Sequence, residues 1–410
     1  MSSPSTPAAP SSRAFPVALV LAAGCGIAML SLGERSAFGL FQNDMVNAHP
    51  WGRETFALAF ALQNLVWGMA QPVTGGLADR YGTMKVLMVG GVLYALGTAG
   101  AVYASSSLLM HLMFGVLVGV GLAASSFTIV ISAFSRAVGP EQRTLAFGLG
   151  TAAGSLGMFL FGPVGAILIA TQGWENALLA FAGFALLIIP FAVPLQGRSK
   201  PDPATASQSA LAALKEALGY RSYVLLVFGF FVCGFHVAFI IAHMPAYIED
   251  LGLSTSVGGT AIALIGLFNV IGCLAAGVIG QRMSKSYSLS VLYLLRSVLI
   301  TAFVLTPISA ASVITFSALM GLLWLSTVPF TSGLVATMFG PRYMGMLFGV
   351  VFFSHQVGSF LGVWLGGVIY AKTGSYDMLW WIGVALGLFA AVVHMPIRDA
   401  PAPRPLAAAA

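Results

Sequence analysis

An all-α membrane protein of twelve transmembrane helices, arranged as two pseudo-symmetric six-helix halves, is the fold class this sequence predicts. Three observations carry it. Hydrophobic residues make up 58% of the 410 and charged ones only 7%, too little polar surface to solvate a globule of this size in water. Apolar runs of about 20 residues, each able to cross roughly 30 Å of hydrocarbon at 1.5 Å per residue, recur along the chain. The second half of the sequence also slides onto the first without a gap, at a shift of 201 residues: Gly33 lands on Gly234, Phe38 on Phe239, Gly76 on Gly277, Gly139 on Gly340 and Gly157 on Gly358, the mark of a duplicated architecture.

Taken in order, the spans are 15–42, 54–76, 84–105, 108–134, 143–169 and 175–195, then 222–248, 257–280, 287–307, 311–337, 344–370 and 376–397. They are read as helices because backbone in lipid must satisfy its own hydrogen bonds, and because they are too long for barrel strands. The first begins after the Ser- and Pro-rich residues 1–14, read as a disordered tail because no basic region precedes an apolar core and no cleavage pattern follows. Residues 15–196 form the first half. The polar stretch 197–221, with Pro, Ser and four basic residues, is the linker; 222–397 form the second half, and 398–410 read as a second disordered tail. Six spans per half give both copies one orientation, relate them by an axis along the membrane normal and leave a cleft between them. Many of the 48 glycines lie in spans, where small side chains let helices approach closely.

The net charge of +6 does not require nucleic acid. With the N-terminus in the cytoplasm, fourteen of the 18 Lys and Arg residues fall on the cytoplasmic side and only Arg53 and Lys372 outside, which is the positive-inside bias. The expected location is the cell (inner or plasma) membrane, with both termini cytoplasmic and the protein a monomer in the bilayer. Cys25, Cys233 and Cys273 sit in apolar spans as small hydrophobes, with no disulfide framework. No nucleotide loop, metal-ligand cluster or nucleophile–base spacing is present, so neither an enzyme nor a cofactor is expected. Short loops leave a non-transporting sensor nothing with which to signal.

After the second span comes "GGLADRYGTMK", residues 75–85. Gly76, Leu77, Ala78, Asp79, Arg80, Gly82 and Lys85 fit a Gly-x-Leu-Ala-Asp-Arg-x-Gly loop followed by a basic residue, and here the chain resembles the major facilitator superfamily of secondary transporters. The second copy, "GVIGQRMSK" from Gly277 to Lys285, keeps the glycine and the basic residues but lacks the acid. Physically, a carboxylate at a helix junction can pair with nearby Arg and with a positive helix N-terminus, holding one conformation until strained. Asp79 is therefore a candidate gate, with Gly76, Arg80, Gly82, Arg136 and the start of the eleventh helix near Arg342 as candidate partners. The alternative for Asp79 and Arg136 is ordinary solvated loop charge.

In "SLGERSAFGLF", residues 31–41, Glu34 and Arg35 stand among small and apolar side chains. The first turn centres near Trp51, so Arg35 is level with Asn64 to Gly68 on the second helix, close to the bilayer midplane. A charge there is costly unless it faces a wet cavity or a partner. Glu34 cannot face Arg35 cleanly, since adjacent helical residues point about 100° apart; as the one acid placed deep in a span, it is the candidate proton carrier. The 201-residue shift maps Arg35 onto His236, so the pair could clamp an anion across the cleft, with His236 also a candidate in proton coupling. His355 and Gln356 on the eleventh helix, Gln63, Asn64 and Trp67 on the second, Asn269 on the eighth and Trp324 on the tenth complete a set suited to a small ligand. Gln71 is of the same type. For each of these the alternative is packing or interhelical hydrogen bonding. Arg296, about 12 Å along the ninth helix, is expected to snorkel or to make a structural contact.

Within the superfamily the chain is similar to the monocarboxylate transporter and oxalate:formate antiporter branch. "ERSAFGLF" puts Arg35 at the basic position that monocarboxylate transporters fill with Lys before a Phe-rich turn, and "WGRE", residues 51–54, follows. The resemblance implies substrate and proton handling by that basic group. Two departures stand: an acidic-Gly-Gly-Trp signature before the first helix is replaced by "SSRAFPV", and the Asp and Arg those transporters carry four residues apart on the eighth helix are here Asn269 and Cys273. The expectation is a transporter of a small monocarboxylate-like organic anion, by symport with protons or by exchange; the alternative is an exporter of amphipathic or toxic compounds, with Arg35 structural.

Overall fold

The computed structural model describes residues 15–51, 53–198 and 208–403. The expected N-terminal tail with Arg13, Gly52 of the WGRE stretch, linker residues 199–207 with Lys200, and 404–410 with Arg404 lie outside them. The described chain is helical, in the order α1 (Val17–Ala37), α2 (Arg53–Tyr81), α3 (Thr83–Val102), α4 (Ser107–Ala137), α5 (143–172), α6 (174–195), α7 (Arg221–Asp250), α8 (Thr255–Arg282), α9 (Lys285–Leu305), α10 (Ala310–Phe339), α11 (Met344–Thr373) and α12 (Asp377–His394). A short helix, Ala210–Gly219, lies in the linker.

Ten helical runs among the described residues are long and apolar enough to cross a membrane, and twelve spans follow from them for two physical reasons. The 56-residue run Pro140–Leu195 contains two, because Gly173, at φ +80° and ψ 160°, interrupts the helical backbone in a conformation that favours glycine. The twelfth is α2, less apolar than the other spans because it carries Gln63, Asn64, Gln71 and Thr74. The protein is thus a multi-pass membrane protein of two six-helix halves.

Within each half the closest partners repeat: α1 packs on α5 and α7 on α11. The repeated glycines make these contacts. A Cβ on Gly33 would lie 2.9 Å from the Gly157 carbonyl carbon, and one on Gly234 would lie 2.7 Å from that of His355. Between the halves there are two seams, α2 against α11 and α8 against α5, and the 201-residue shift converts one into the other. A Cβ on Gly148 would fall 2.7 Å from the Cys273 carbonyl oxygen; on Gly349, its counterpart, 2.9 Å from that of Gln71. Such approaches admit no side chain, so most of the duplicated glycines serve packing.

Two helices are broken at corresponding places. Ser126 (ψ 164°) interrupts α4, and residues 324–326 interrupt α10. The freed backbone groups are satisfied by polar side chains, as the membrane interior requires. The Ala123 carbonyl accepts from Gln71 Nε2 and Thr74 Oγ1, each at 3.0 Å. In α10 the Leu323 carbonyl accepts from Arg296 Nε at 3.1 Å and Nη2 at 2.6 Å, the Trp324 carbonyl also accepts from Nη2, and Leu325 N donates to Asn269 Oδ1 at 2.9 Å. Arg296 is fully buried. Of the two roles expected for it, structural contact is what the protein uses; snorkelling is overturned, because two broken-helix carbonyls sit within reach inside the half.

Of the stretch read as a tail from residue 398, the described residues 398–403 make specific contacts. Arg398 N donates to Ser222 Oγ at 3.2 Å, Asp399 accepts from Lys285 N at 2.8 Å, and Ala402 N donates to the Met338 carbonyl at 3.0 Å. Residues 398–402 are held here by one donor and two acceptors near helix ends.

Candidate functional site

The site lies on the α2–α11 seam. Arg35, in the last turn of α1, meets one face of α2, on which Phe60, Asn64, Trp67 and Gln71 recur at spacings of four, three and four. Its Nη2 donates to Asn64 Oδ1, and its guanidinium carbon lies 5.1 Å from the Phe60 ring centre and 5.2 Å from that of Trp67. The amide of Asn64 is oriented by donating to the Phe60 carbonyl at 3.1 Å, and the Trp67 indole by donating to Gln71 Oε1 at 2.9 Å. No carboxylate is bonded to Arg35 among the described residues, and its Nε is buried without a partner.

The chain of contacts continues into the second half. Trp67 meets Phe352 at 5.0 Å between ring centres, Phe352 stacks on His355 at 5.5 Å, and His355 meets Phe230 at 5.1 Å. His355 Nδ1 is 3.3 Å from Gln356 Oε1, and Gln356 Nε2 donates to the Asn64 carbonyl at 3.3 Å. Arg35, Asn64, Trp67, His355 and Gln356 are therefore brought together across the α2–α11 seam. Phe60, Phe230 and Phe352 join them. Sequence reasoning passed over these three as ordinary apolar residues, although Phe60 stands one helical turn before Asn64.

The remaining candidates are placed elsewhere. His236 is 1% exposed, with Nε2 2.7 Å from the Gly383 carbonyl on α12 and Nδ1 without a hydrogen-bond partner among the described residues. The imidazole fills the space left by Gly383 and Gly387, so the Arg35–His236 clamp is not assembled here. Gln63 donates to the Phe114 carbonyl at 3.1 Å, in the π-helical stretch His111–Leu117 of α4. Asn269 bridges the halves, donating to Ser155 Oγ at 2.7 Å, and Trp324 is buried at the α10 break. Glu34 is fully buried and neither of its oxygens has a hydrogen-bond partner among the described residues.

Both seams run from this level to the face where most Lys and Arg residues lie. At that basic face Asp79 accepts from Gly345 N at 3.2 Å and Met346 N at 3.0 Å, the free donors at the start of α11, and from Ser132 Oγ at 3.3 Å. This is a carboxylate of one half capping a helix of the other. Gly75 and Gly345 were not singled out from sequence, yet they permit it: a Cβ on Gly345 would lie 2.9 Å from the Gly75 carbonyl oxygen. Gly76 is looser, 3.8 Å from Met346 by the same measure. Arg136 donates to Thr83 Oγ1 at 2.8 Å and to the Gly197 carbonyl at 3.3 Å, tying the α3 start to the linker beside Asp79. Gly82 at φ +96° makes the α2–α3 turn. Arg80 is exposed and lies over Tyr81 at 5.1 Å rather than on Asp79.

Comparison with known proteins agrees with this architecture. The chain is 25% identical over 382 residues to the uncharacterized MFS-type transporter YcxA of Bacillus subtilis (strain 168), covering 89% of this chain and 91% of that one. Human monocarboxylate transporter 11 is 31% identical over 267 residues, covering 65% of this chain and 54% of its own length. Among solved structures, the transporter FucP in the outward conformation superposes with a TM-score of 0.73 at 12% identity, over 91% of this chain and 97% of that one. The family model of the Major Facilitator Superfamily matches residues 23–362, and the chain belongs to that superfamily of transporters.

Proposed function

We propose that the protein is a secondary active transporter of a small monocarboxylate-type organic anion, moved by alternating access and coupled to protons or to exchange. The observation that carries this reading is Arg35, a guanidinium at mid-membrane whose fixed neighbours are an amide oxygen and two ring faces. A carboxylate arriving between the halves supplies the counter-charge those neighbours lack. Similarity to a protein named as a monocarboxylate transporter supports the same class. His355 and Gln356, on the opposite side of the seam, replace His236 as the second set of polar contacts. Glu34, with no partner of its own, is the proton carrier beside Arg35.

In this scheme the seams are closed toward the basic face, which is the cytoplasmic one, with both termini there and the protein a monomer in the cell membrane. Entry of the anion with a proton releases the Asp79 cap on α11, and the halves rock about the fixed site. The competing reading, an exporter of amphipathic compounds, draws on the rings of Phe60, Trp67 and Phe352.

Uptake of labelled lactate, pyruvate and related acids into proteoliposomes, with and without a pH gradient, separates the two. The expected result is uptake accelerated by an inward proton gradient, with Glu34→Gln keeping acid-for-acid exchange but losing gradient-driven accumulation. Movement of no tested acid under any gradient, together with efflux of amphipathic dyes, would replace this reading with the exporter.

A further inference from the structure

The two seams are built alike but closed differently at the basic face. At the first, Asp79 supplies a carboxylate to the facing helix. The 201-residue shift puts Gly280 at the corresponding place in the second, where a Cβ would be 3.2 Å from the Phe330 ring and would also crowd Thr144 of α5. The motif's acid is gone, and two cations remain near the contact. Arg143 opens α5 on one side. Lys285 opens α9 on the other, its stem 3.0 Å from a Cβ built on Gly333, a point that is also 3.0 Å from Thr144 Oγ1. Arg143, Thr144, Lys285 and Gly333 line one cleft of about 560 Å³ between the halves, and Pro401 and Ala402 form part of its wall.

A carboxylate does reach Lys285, from the C-terminal segment. Asp399 Oδ2 accepts from Lys285 N at 2.8 Å and Oδ1 lies 3.5 Å from Lys285 Nζ, both side chains being 18% exposed. The segment is strapped to the second half by Arg398 N on Ser222 Oγ and Ala402 N on the Met338 carbonyl, 3.2 and 3.0 Å. Ile397 and Ala402, at its two ends, are buried.

We propose that Asp399 is a tethered counter-ion for the second seam: delivered by the C-terminal strap, it neutralises Lys285 where Lys285 shares a cleft with Arg143, and so keeps this seam closed by removing repulsion across it, where Asp79 closes the first by bonding across it. Without it, positive charges stand on opposite walls of a partly desolvated cleft and push the halves apart on the basic face. Asp399→Asn isolates the charge, because the amide oxygen can still accept from Lys285 N and keep α9 capped.

The test is double electron–electron resonance in proteoliposomes between spin labels at Glu141→Cys, on the exposed turn before α5, and Met283→Cys, 52% exposed between α8 and α9. Asp399→Asn is expected to raise the long-to-short distance ratio roughly three-fold, the scale of one partly exposed ion pair. High salt should shrink the effect, and adding Lys285→Met should return the ratio to the parent value. An unchanged ratio in Asp399→Asn, or a shift that survives Lys285→Met, overturns the proposal. Lys285→Met alone keeps the test decisive should Asp399→Asn fail to fold: it must match the parent, and an opening of the seam as large as that expected for Asp399→Asn also overturns it.

Discussion

Arg35 and Arg296 are the two arginines the chain carries inside its spans, and they are held in opposite ways. Arg296 is fully buried in the second half, fixed by the carbonyls of Leu323 and Trp324 and by the Tyr293 ring 5.3 Å away. Every one of these partners belongs to the same half, and two are backbone. Arg35 stands at the junction of the halves, held by one neutral side chain and two aromatic faces. Depth in the membrane therefore does not by itself mark a functional charge. What distinguishes Arg35 is that its partners Asn64 and Trp67 in turn touch Gln356 and Phe352 of the other half, where a ligand would meet both halves.

The largest expected effect comes from breaking the fixed arginine. Arg296→Met leaves the carbonyls at the α10 break without donors, and a loss of about 2–4 kcal/mol is expected, read as a lower unfolding temperature in detergent and poor membrane yield. A variant as stable as the parent would mean that the α10 break is satisfied without Arg296, and the contrast between the two arginines would fail. The smallest effect falls on the rings beside the other. Trp67→Leu removes one cation–π face and the Phe352 contact, worth about 1 kcal/mol, so KM for the transported acid should rise roughly five-fold with maximal rate and stability little changed. A loss of stability instead would make Trp67 part of the core rather than of the site.

Much of this architecture is legible in the sequence because the physics behind it is local or periodic. Span lengths follow from bilayer thickness, and the glycine pairs at 201-residue spacing mark contacts that tolerate no Cβ. The Asp79 cap could be anticipated because a carboxylate at a helix junction seeks free N–H groups. The helix breaks in α4 and α10 are less evenly marked: Ser125–Ser126 carries no strong breaking signal, whereas Pro329 in "LSTVP" has no N–H to donate to the carbonyl of Leu325, and in both the donors that satisfy the break come from other helices. For the same reason Asn269 and Gln71 look like cavity residues in sequence but are bound to broken backbone. His236 maps onto Arg35 by the repeat, yet its direction is set by Gly383, 147 residues away on α12. The C-terminal segment misleads in the opposite sense, since Pro- and Ala-rich composition hides one aspartate with two donors waiting for it.

The most direct test of the central claim is Arg35→Gln measured for stability and transport in the same preparation. The substitution keeps a donor for Asn64 and removes the charge. Unfolding temperature should stay close to the parent's, while uptake of the transported acid falls by about 100-fold, the scale of a lost charge-assisted contact. Undiminished acid transport by Arg35→Gln would contradict the account, because a site that works without its cation has no use for the anion proposed to answer it.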